Sequence, residues 1–257
     1  MKYVFFGGRE SRFAQIVLDS LKGAGLNPVA EIRDAKIPLD IEYLRSLRAD
    51  FFLVASFAKI LKQEVISISP RGTIGIHPSL LPKYRGASPI QSVILNDEKE
   101  TGTTLFLIDE KVDHGATLSK KRQVISEKDT YISLEEKLAK LSSELAIETL
   151  PKYLNGTLQP QIQNESQATY TQKFKTEDAR VNLKTDNPRM VWLKIRALNP
   201  EPGTYTELEF KNGKSLRLKL LEAKFENGQL ALTKVQPEGK KPMDYESFLN
   251  GYQKLLS

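Results

Sequence analysis

Two side chains that could carry proton-transfer chemistry lie at the ends of apolar runs in the first half of the chain. His77 ends the run Gly72–His77, and Asp113 begins a tight-turn pattern with His114 and Gly115 after a later apolar run. A histidine that meets a carboxylate can act as a general acid and base, because the carboxylate orients the imidazole and stabilises its charged form. The spacing therefore predicts an acid–base pair made of His77 and Asp113.

Short apolar runs alternate with amphipathic segments, and this alternation predicts how the pair is positioned. The runs predicted to be buried strands are Tyr3–Phe6, Phe51–Ala55, Gly72–His77 and Thr103–Ile108. The segments with helical spacing are Ser11–Lys22 and Leu134–Leu154. Such alternation is typical of an α/β fold, in which a parallel sheet has helices on both faces. Ligands bind at the carboxyl ends of the strands in these sheets, so His77 and Asp113 are expected at a ligand-binding edge.

The second half of the chain has a different character. Residues 156–171 are polar, lack apolar periodicity and are predicted to be a linker between a domain over 1–155 and a domain over 172–257. Beyond it, Pro188–Leu198 has helical spacing, and three alternating segments predict a small β-barrel: Tyr205–Phe210, Ser215–Phe225 and Gln229–Val235. Residues 171–257 hold 16 of the 38 basic and 11 of the 32 acidic residues. The net charge of +6 is thus concentrated in this region, which suits a nucleic-acid partner.

Composition excludes several kinds of site. The chain has no cysteine, which excludes disulfides, thiolate metal sites and cysteine nucleophiles. With only two histidines, a histidine-built metal site is not expected, and no metal is predicted. No apolar run approaches the length of about 18 residues that a membrane span needs. A cytoplasmic protein with no membrane partner is therefore expected.

The segment around His77 resembles the folate-dependent formyltransferases, whose pattern is a histidine followed by SLLPxxRG and later by an Asp-x-Gly turn. The matching residues here are His77, Ser79–Pro82, Arg85–Gly86 and Asp113–Gly115. Three further segments are similar to the C-terminal barrel of the members that act on tRNA: TYTQKFKTEDAR (169–180), ALNPEPGTY (197–205) and QPEGKKPMDYESFL (236–249). The resemblance implies a Rossmann-like formyltransferase domain with a mostly parallel sheet, followed by a small OB-like β-barrel domain that binds tRNA.

The resemblance also implies a reaction and its residues. The expected reaction moves a formyl group from the co-substrate 10-formyltetrahydrofolate to the α-amine of methionyl initiator tRNA, with His77 and Asp113 as catalytic residues. The residues expected to bind the donor are Phe57, Ser79, Leu80, Leu81, Pro82, Arg85, Ile108 and Asp109. The cations expected to bind tRNA phosphates are Lys173, Lys175, Lys194, Arg196, Lys240 and Lys241.

The sequence departs from the family pattern in two places. Most of these transferases carry an asparagine two residues before the histidine, whose amide helps to hold the oxyanion, but here the residue is Gly75. His114, next to Asp113, is a candidate substitute donor. The basic loop that usually follows the second strand is also missing, because Ala30–Asp34 leads almost directly into the helix predicted over Asp40–Leu47.

These departures leave three alternatives open: a formyltransferase acting on an amino sugar, a hydrolase of 10-formyltetrahydrofolate, and a non-catalytic protein that binds RNA or folate. The retention of both His77 and Asp113 favours an enzyme, and the C-terminal matches favour a tRNA substrate. A monomer is expected.

Overall fold

A computed structural model describes residues 1–210 and 213–252 of the chain. The chain divides into two compact units. The first unit contains residues 1–90, 99–127 and 132–171, and the second contains residues 91–98, 128–131 and 172 onward. No helix in the described ranges is long and apolar enough to cross a membrane.

The first unit is built around a six-stranded sheet. The elements from residue 1 to residue 171 are β1 (Tyr3–Gly7), α1 (Arg12–Gly23), β2 (Ala30–Ile32), α2 (Ile41–Ser46), β3 (Phe51–Ala55), α3 (Gln63–Ile66), β4 (Thr73–His77), β5 (Arg85–Gly86), α4 (Pro89–Leu95), β6 (Glu100–Leu107), β7 (Thr117–Val124), α5 (Tyr131–Leu154) and β8 (Tyr170–Thr171). The strand order in the sheet is β2-β1-β3-β4-β6-β7. The α/β class with a mostly parallel sheet is confirmed.

The sheet is parallel only over its first four strands. β1 pairs with β2 and β3, and β3 pairs with β4, all in parallel, whereas β6 runs antiparallel to β4 and β7 antiparallel to β6. The predicted strand Thr103–Ile108 exists as β6, but the expectation that it is parallel is wrong. β6 and β7 are joined by a short connection without a helix, which explains why these two strands are antiparallel to each other.

The buried central strands explain why His77 lies where it does. All five residues of β1 and all five of β4 are buried, as expected for strands covered on both faces. One face packs a cluster that includes Val4, Phe6 and Phe52. His77 is the last residue of β4, so its imidazole lies at the carboxyl end of this central strand.

Residues 156–171, predicted to be a linker, are attached to the first unit. Gln161 forms an antiparallel bridge with Thr117, and β8 pairs in parallel with β5. A short 3-10 helix, Glu165–Gln167, lies between these contacts. The segment is held by hydrogen bonds of its backbone and polar side chains rather than by an apolar face, which is why its sequence carries no periodic pattern.

The second unit has an antiparallel sheet with the order β12-β11-β10-β9. Its elements are α6 (Pro188–Leu198), β9 (Tyr205–Glu209), β10 (Ser215–Glu226), β11 (Gln229–Pro237), β12 (Met243–Asp244) and α7 (Tyr245–Tyr252), preceded by a 3-10 helix at Glu177–Ala179. Val191 and Ile195 of α6 pack with Leu218, Leu220 and Phe248 in its core. The predicted C-terminal β domain is confirmed as a domain with a four-stranded antiparallel sheet, and α6 has the predicted bounds. The sequence Lys211–Asn212–Gly213–Lys214 predicts a turn after Phe210, and this turn lies partly outside the described residues.

Candidate active site

His77 is buried, and each of its ring nitrogens faces an oxygen atom. Its Nε2 lies 2.8 Å from the backbone oxygen of Tyr84, and its Nδ1 lies 3.5 Å from Oδ2 of Asp113. A carbonyl oxygen only accepts, so Nε2 carries the proton in the neutral ring and Nδ1 is the basic nitrogen. The structure therefore brings the two predicted residues together and directs the basic nitrogen toward the carboxylate.

Asp113 occupies a turn that fixes its carboxylate. Its φ of 49° lies in the left-handed region, which aspartate tolerates better than most residues. Oδ2 accepts a 2.8 Å hydrogen bond from the backbone N–H of Gly86. One oxygen atom thus contacts both the Gly86 amide and the His77 ring, and it can stabilise an imidazolium on His77.

The loop after His77 is tied down by buried hydrogen bonds. The Thr104 hydroxyl donates to the Ser79 oxygen over 2.7 Å and accepts from the Leu81 N–H over 3.1 Å. The Lys120 ammonium donates to the Leu81 oxygen, and burial lowers the pKa of this lysine. Leu81 and Pro82 are buried, and Leu80 fills the space above Gly102. These contacts hold the loop from within the protein, without a substrate.

Two residues expected to bind the donor, Ser79 and Arg85, instead form hydrogen bonds with other residues of the protein. The fully buried Ser79 hydroxyl donates to the Lys83 oxygen over 2.6 Å. Arg85 is also fully buried, and its guanidinium donates to Gln163, Glu165 and Tyr170. The expectation that these two side chains contact the donor is therefore corrected, because neither is accessible.

Phe57 and Ile108 remain suited to contact an apolar part of the donor. Both are partly exposed and pack on the apolar cluster of the first unit. The Phe57 ring lies edge-on to Phe6, with 5.5 Å between the ring centroids. Phe57 follows β3, whose end lies beside the end of β4. Ile108 follows β6, whose end lies near the start of β4, and its side chain reaches the position of Gly75.

Gly75 has no room for the asparagine of the family pattern. It pairs with Phe106 across β4 and β6, and a Cβ atom at this position would lie 2.7 Å from Phe106 Cζ and 3.1 Å from Ile108 Cγ1. Gly75 and His77 are two residues apart on one strand and so share a face. The buried Phe106 ring therefore occupies the space beside His77 that a side chain at position 75 would take.

His114 is held by carboxylates rather than by the acid–base pair. Its Nδ1 lies 2.6 Å from Oδ2 of Asp109, and its Nε2 lies 3.6 Å from Oε1 of Glu165. Both nitrogens thus face acidic groups, so the expectation that His114 replaces the missing amide is corrected. Asp109, expected to bind the donor, also accepts from the Lys111 N–H over 2.9 Å.

The cations expected to bind tRNA differ in accessibility. The four exposed ones in the second unit are Lys173, Lys175, Lys240 and Lys241. Lys194 is half-buried and donates to the Arg180 oxygen over 3.0 Å. Arg196 is buried, donates from Nε to the Asp129 oxygen over 2.7 Å and lies 4.3 Å from the Trp192 ring centroid. The expectation that Arg196 binds tRNA is therefore wrong, because it belongs to the buried face of α6.

Sequence reasoning missed Gln163, Glu165 and Lys120, which hold the residues around the acid–base pair. A glutamine and a glutamate in a polar segment give no signal of burial or of partners. Lys120 lies in β7, whose sequence TLSKKRQV has too few apolar residues to signal a strand. No group of three His, Asp or Glu side chains that could bind a metal occurs within 1–210 and 213–252.

Comparison with known proteins places both units in one family. Residues 5–150 match the model for formyl transferases, and residues 173–230 match the model for the formyl transferase C-terminal domain. Methionyl-tRNA formyltransferase of Dictyoglomus turgidum is 37% identical over 239 residues, which cover 82% of this chain and 74% of that protein.

Solved structures share the fold. Methionyl-tRNA formyltransferase from Clostridium thermocellum has a TM-score of 0.69 at 19% identity, covering 92% of this chain and 99% of that one. HypX from Aquifex aeolicus in complex with tetrahydrofolic acid has a TM-score of 0.76 at 18% identity, covering 99% of this chain and 48% of that one. The chain thus spans about half the length of HypX.

Proposed function

The chain belongs to the methionyl-tRNA formyltransferase family, and from this membership we propose that it transfers the formyl group of 10-formyltetrahydrofolate to the α-amine of methionyl initiator tRNA. The observation that carries the proposal is the His77–Asp113 pair at the end of β4, with Nε2 of His77 held by the Tyr84 oxygen. Matches over both domains of relatives named for methionyl-tRNA favour this acceptor over an amino sugar.

When bound, 10-formyltetrahydrofolate supplies the formyl carbon that the amine attacks. Phe57, near the end of β4, and Ile108, next to Gly75, offer it apolar contacts, and apolar side chains of this kind fit the flat ring of a pterin. The backbone after β3 adds polar groups near the end of β4. This combination of an apolar wall and a few fixed polar groups is common in ligand sites.

His77 moves the protons. As the new carbon–nitrogen bond forms, the amine loses a proton, which Nδ1 of His77 accepts. The imidazolium then stands 3.5 Å from the Asp113 carboxylate, which lowers the free energy of this charged state. The same proton is then available for the nitrogen that leaves when the old carbon–nitrogen bond breaks, so His77 is neutral again after each turnover.

The test is formyl transfer by purified protein. Incubation with 10-formyltetrahydrofolate, with and without charged initiator methionyl-tRNA, is followed by tetrahydrofolate release and by formyl-methionine formation. We expect formyl-methionine only when tRNA is present. Tetrahydrofolate release without tRNA would instead indicate a hydrolase, and no turnover in either condition would support a non-catalytic binding protein.

Substitution of the two histidines tests the role of His77. His77→Asn removes the base and should reduce kcat by about 10²- to 10⁴-fold, the usual contribution of general acid–base catalysis. His114→Asn is the matched control, because its partly exposed ring contacts only carboxylates and should change kcat by less than about threefold. Equal losses in the two folded variants would remove His77 from the mechanism.

A further inference from the structure

We infer that Gln163 is a positioning residue for the acid–base pair, an inference that rests on the proposed function. Gln163 lies in the segment 156–171, whose sequence resembles a linker, yet it is buried, with 6% of its surface exposed. It contacts the Asp113 turn on one side and Arg85 on the other. Its side chain therefore joins the two backbone segments that carry the partners of His77.

The amide end of Gln163 holds the Asp113 turn. Nε2 donates to the backbone oxygen of Asp113 over 2.9 Å and to that of Gly115 over 2.8 Å. These two carbonyls belong to the residues before and after His114, and each accepts a hydrogen bond from the amide. Since Asp113 adopts a left-handed conformation, the two hydrogen bonds fix a turn that would otherwise have other conformations available.

The carbonyl end of Gln163 holds Arg85. Oε1 accepts from Nε of Arg85 over 3.2 Å and from Nη2 over 2.8 Å. Glu165 accepts from Nη1 and Nη2 over 3.0 and 2.6 Å, and the Tyr170 hydroxyl accepts from Nη1 over 3.2 Å. Hydrogen bonding to Glu165 raises the pKa of Arg85, which is charged and fully buried. All three partners come from the segment 156–171.

Arg85 in turn places the atoms that contact the acid–base pair. The residue before it, Tyr84, provides the oxygen bound by His77 Nε2, and the residue after it, Gly86, provides the N–H bound by Asp113 Oδ2. The Arg85 backbone N–H also donates to the Thr169 oxygen over 2.8 Å. Displacement of Arg85 would therefore move both contacts together.

Only an amide side chain can make all of these contacts. A glutamate at position 163 could accept from Arg85 but could not donate to the Asp113 and Gly115 carbonyls, and a methionine could do neither. The buried carbonyl oxygen of Gly115 and the half-buried one of Asp113 would then lose this donor. The chemistry of the site thus requires glutamine here, although the residue touches no reacting atom.

The experiment compares Gln163→Glu with Gln161→Glu. Gln161 is exposed and pairs with Thr117 through its backbone, so its substitution makes the same charge change without touching the site. We expect Gln163→Glu to lower kcat for formyl transfer about tenfold or more, because two buried hydrogen bonds are lost. KM for methionyl-tRNA and for 10-formyltetrahydrofolate should stay within about twofold, since the binding surfaces are unchanged.

Amide hydrogen exchange supplies a readout that does not depend on activity. The Gly86 N–H is protected by Asp113, so its exchange should be faster in Gln163→Glu than in wild type or Gln161→Glu. Gln163→Met should show the same two effects if Gln163→Glu does not fold. Unchanged kcat and unchanged Gly86 exchange in a folded variant would overturn the inference, as would a rise in KM matching the fall in kcat. An inactive wild type with the expected exchange pattern would refute the proposed function instead.

Discussion

Restoring asparagine at position 75 tests whether Phe106 has taken the space beside His77. In wild type, a Cβ at this position would lie 2.7 Å from Phe106 Cζ, closer than packed carbon atoms approach. Because the Phe106 ring is 3% exposed, it has little room to move. Gly75→Asn should therefore destabilise the protein by about 1–3 kcal/mol, the usual effect of overpacking a core. For a chain of this size, the melting temperature should fall by about 2–4 °C for each kcal/mol.

Removal of the Phe106 ring should relieve the crowding that asparagine causes at position 75. Phe106→Ala alone should cost about 3–5 kcal/mol through the cavity that it leaves. In the double variant, the asparagine side chain occupies part of that cavity, so the total loss should be about 1–3 kcal/mol smaller than the sum of the single losses. Chemical unfolding of the four proteins in a double-mutant cycle measures this coupling.

Measurements of kcat separate the catalytic effect of the asparagine amide from the effect of relieved packing. If the restored amide stabilises the oxyanion, kcat of Gly75→Asn/Phe106→Ala should exceed that of Gly75→Ala/Phe106→Ala by up to about 10²–10³-fold, the effect of one such donor. The alanine pair relieves the same crowding without adding an amide. Additive unfolding free energies would refute the packing argument, and equal kcat values in the two pairs would refute the role of the amide.

Two further predictions concern charge. Hydrogen bonding to Arg85 lowers the pKa of Glu165 from its usual 4.5, so this contact stabilises the fold above about pH 4.5 and is lost as the pH falls through the lowered value. The difference in unfolding free energy between wild type and Glu165→Gln, measured from pH 7 to pH 3, should therefore shrink as the pH falls. A constant difference would contradict the assignment. Lys240→Glu/Lys241→Glu should raise the KM for tRNA and make this KM less dependent on salt concentration, because both lysines are exposed. Arg196→Gln should instead lower the melting temperature and leave the salt dependence of KM unchanged, because Arg196 is buried.

Much of the fold follows from patterns that the sequence displays directly. β1, β3 and β4 are almost wholly buried, so their apolar runs are continuous and easily distinguished from helices. β7 shows the opposite case: its last six residues alternate between half-buried and exposed, and the sequence TLSKKRQV contains too few apolar residues to indicate a strand. The direction of β6 was also not predictable from an apolar run, since parallel and antiparallel strands share that feature.

The candidate site was predictable only where a motif marks it. His77 and Asp113 stand at recognisable positions, but the oxygen that fixes the tautomer belongs to the backbone of Tyr84 and has no sequence signal. Arg85 was expected to bind the donor because it belongs to the SLLPxxRG pattern, and Arg196 was expected to bind tRNA as one of the cations of the C-terminal domain. Both are buried, which is rare for arginine. The burial of Arg85 was not predictable, because its partners lie 78 to 85 residues further along the chain and local sequence patterns carry no information over that distance.

The two contacts of the acid–base pair depend on one short piece of backbone. Tyr84 fixes the proton on Nε2 of His77, and Gly86 orients the carboxylate that faces Nδ1, so the strand β5 sets which nitrogen is basic and what stabilises it. β5 has only two residues, too few to hold a position through its own ladder. Its geometry must therefore come from β8 and from the side chain of Arg85. Thus a buried, fully bonded arginine can be essential to the chemistry of this site without contacting a substrate.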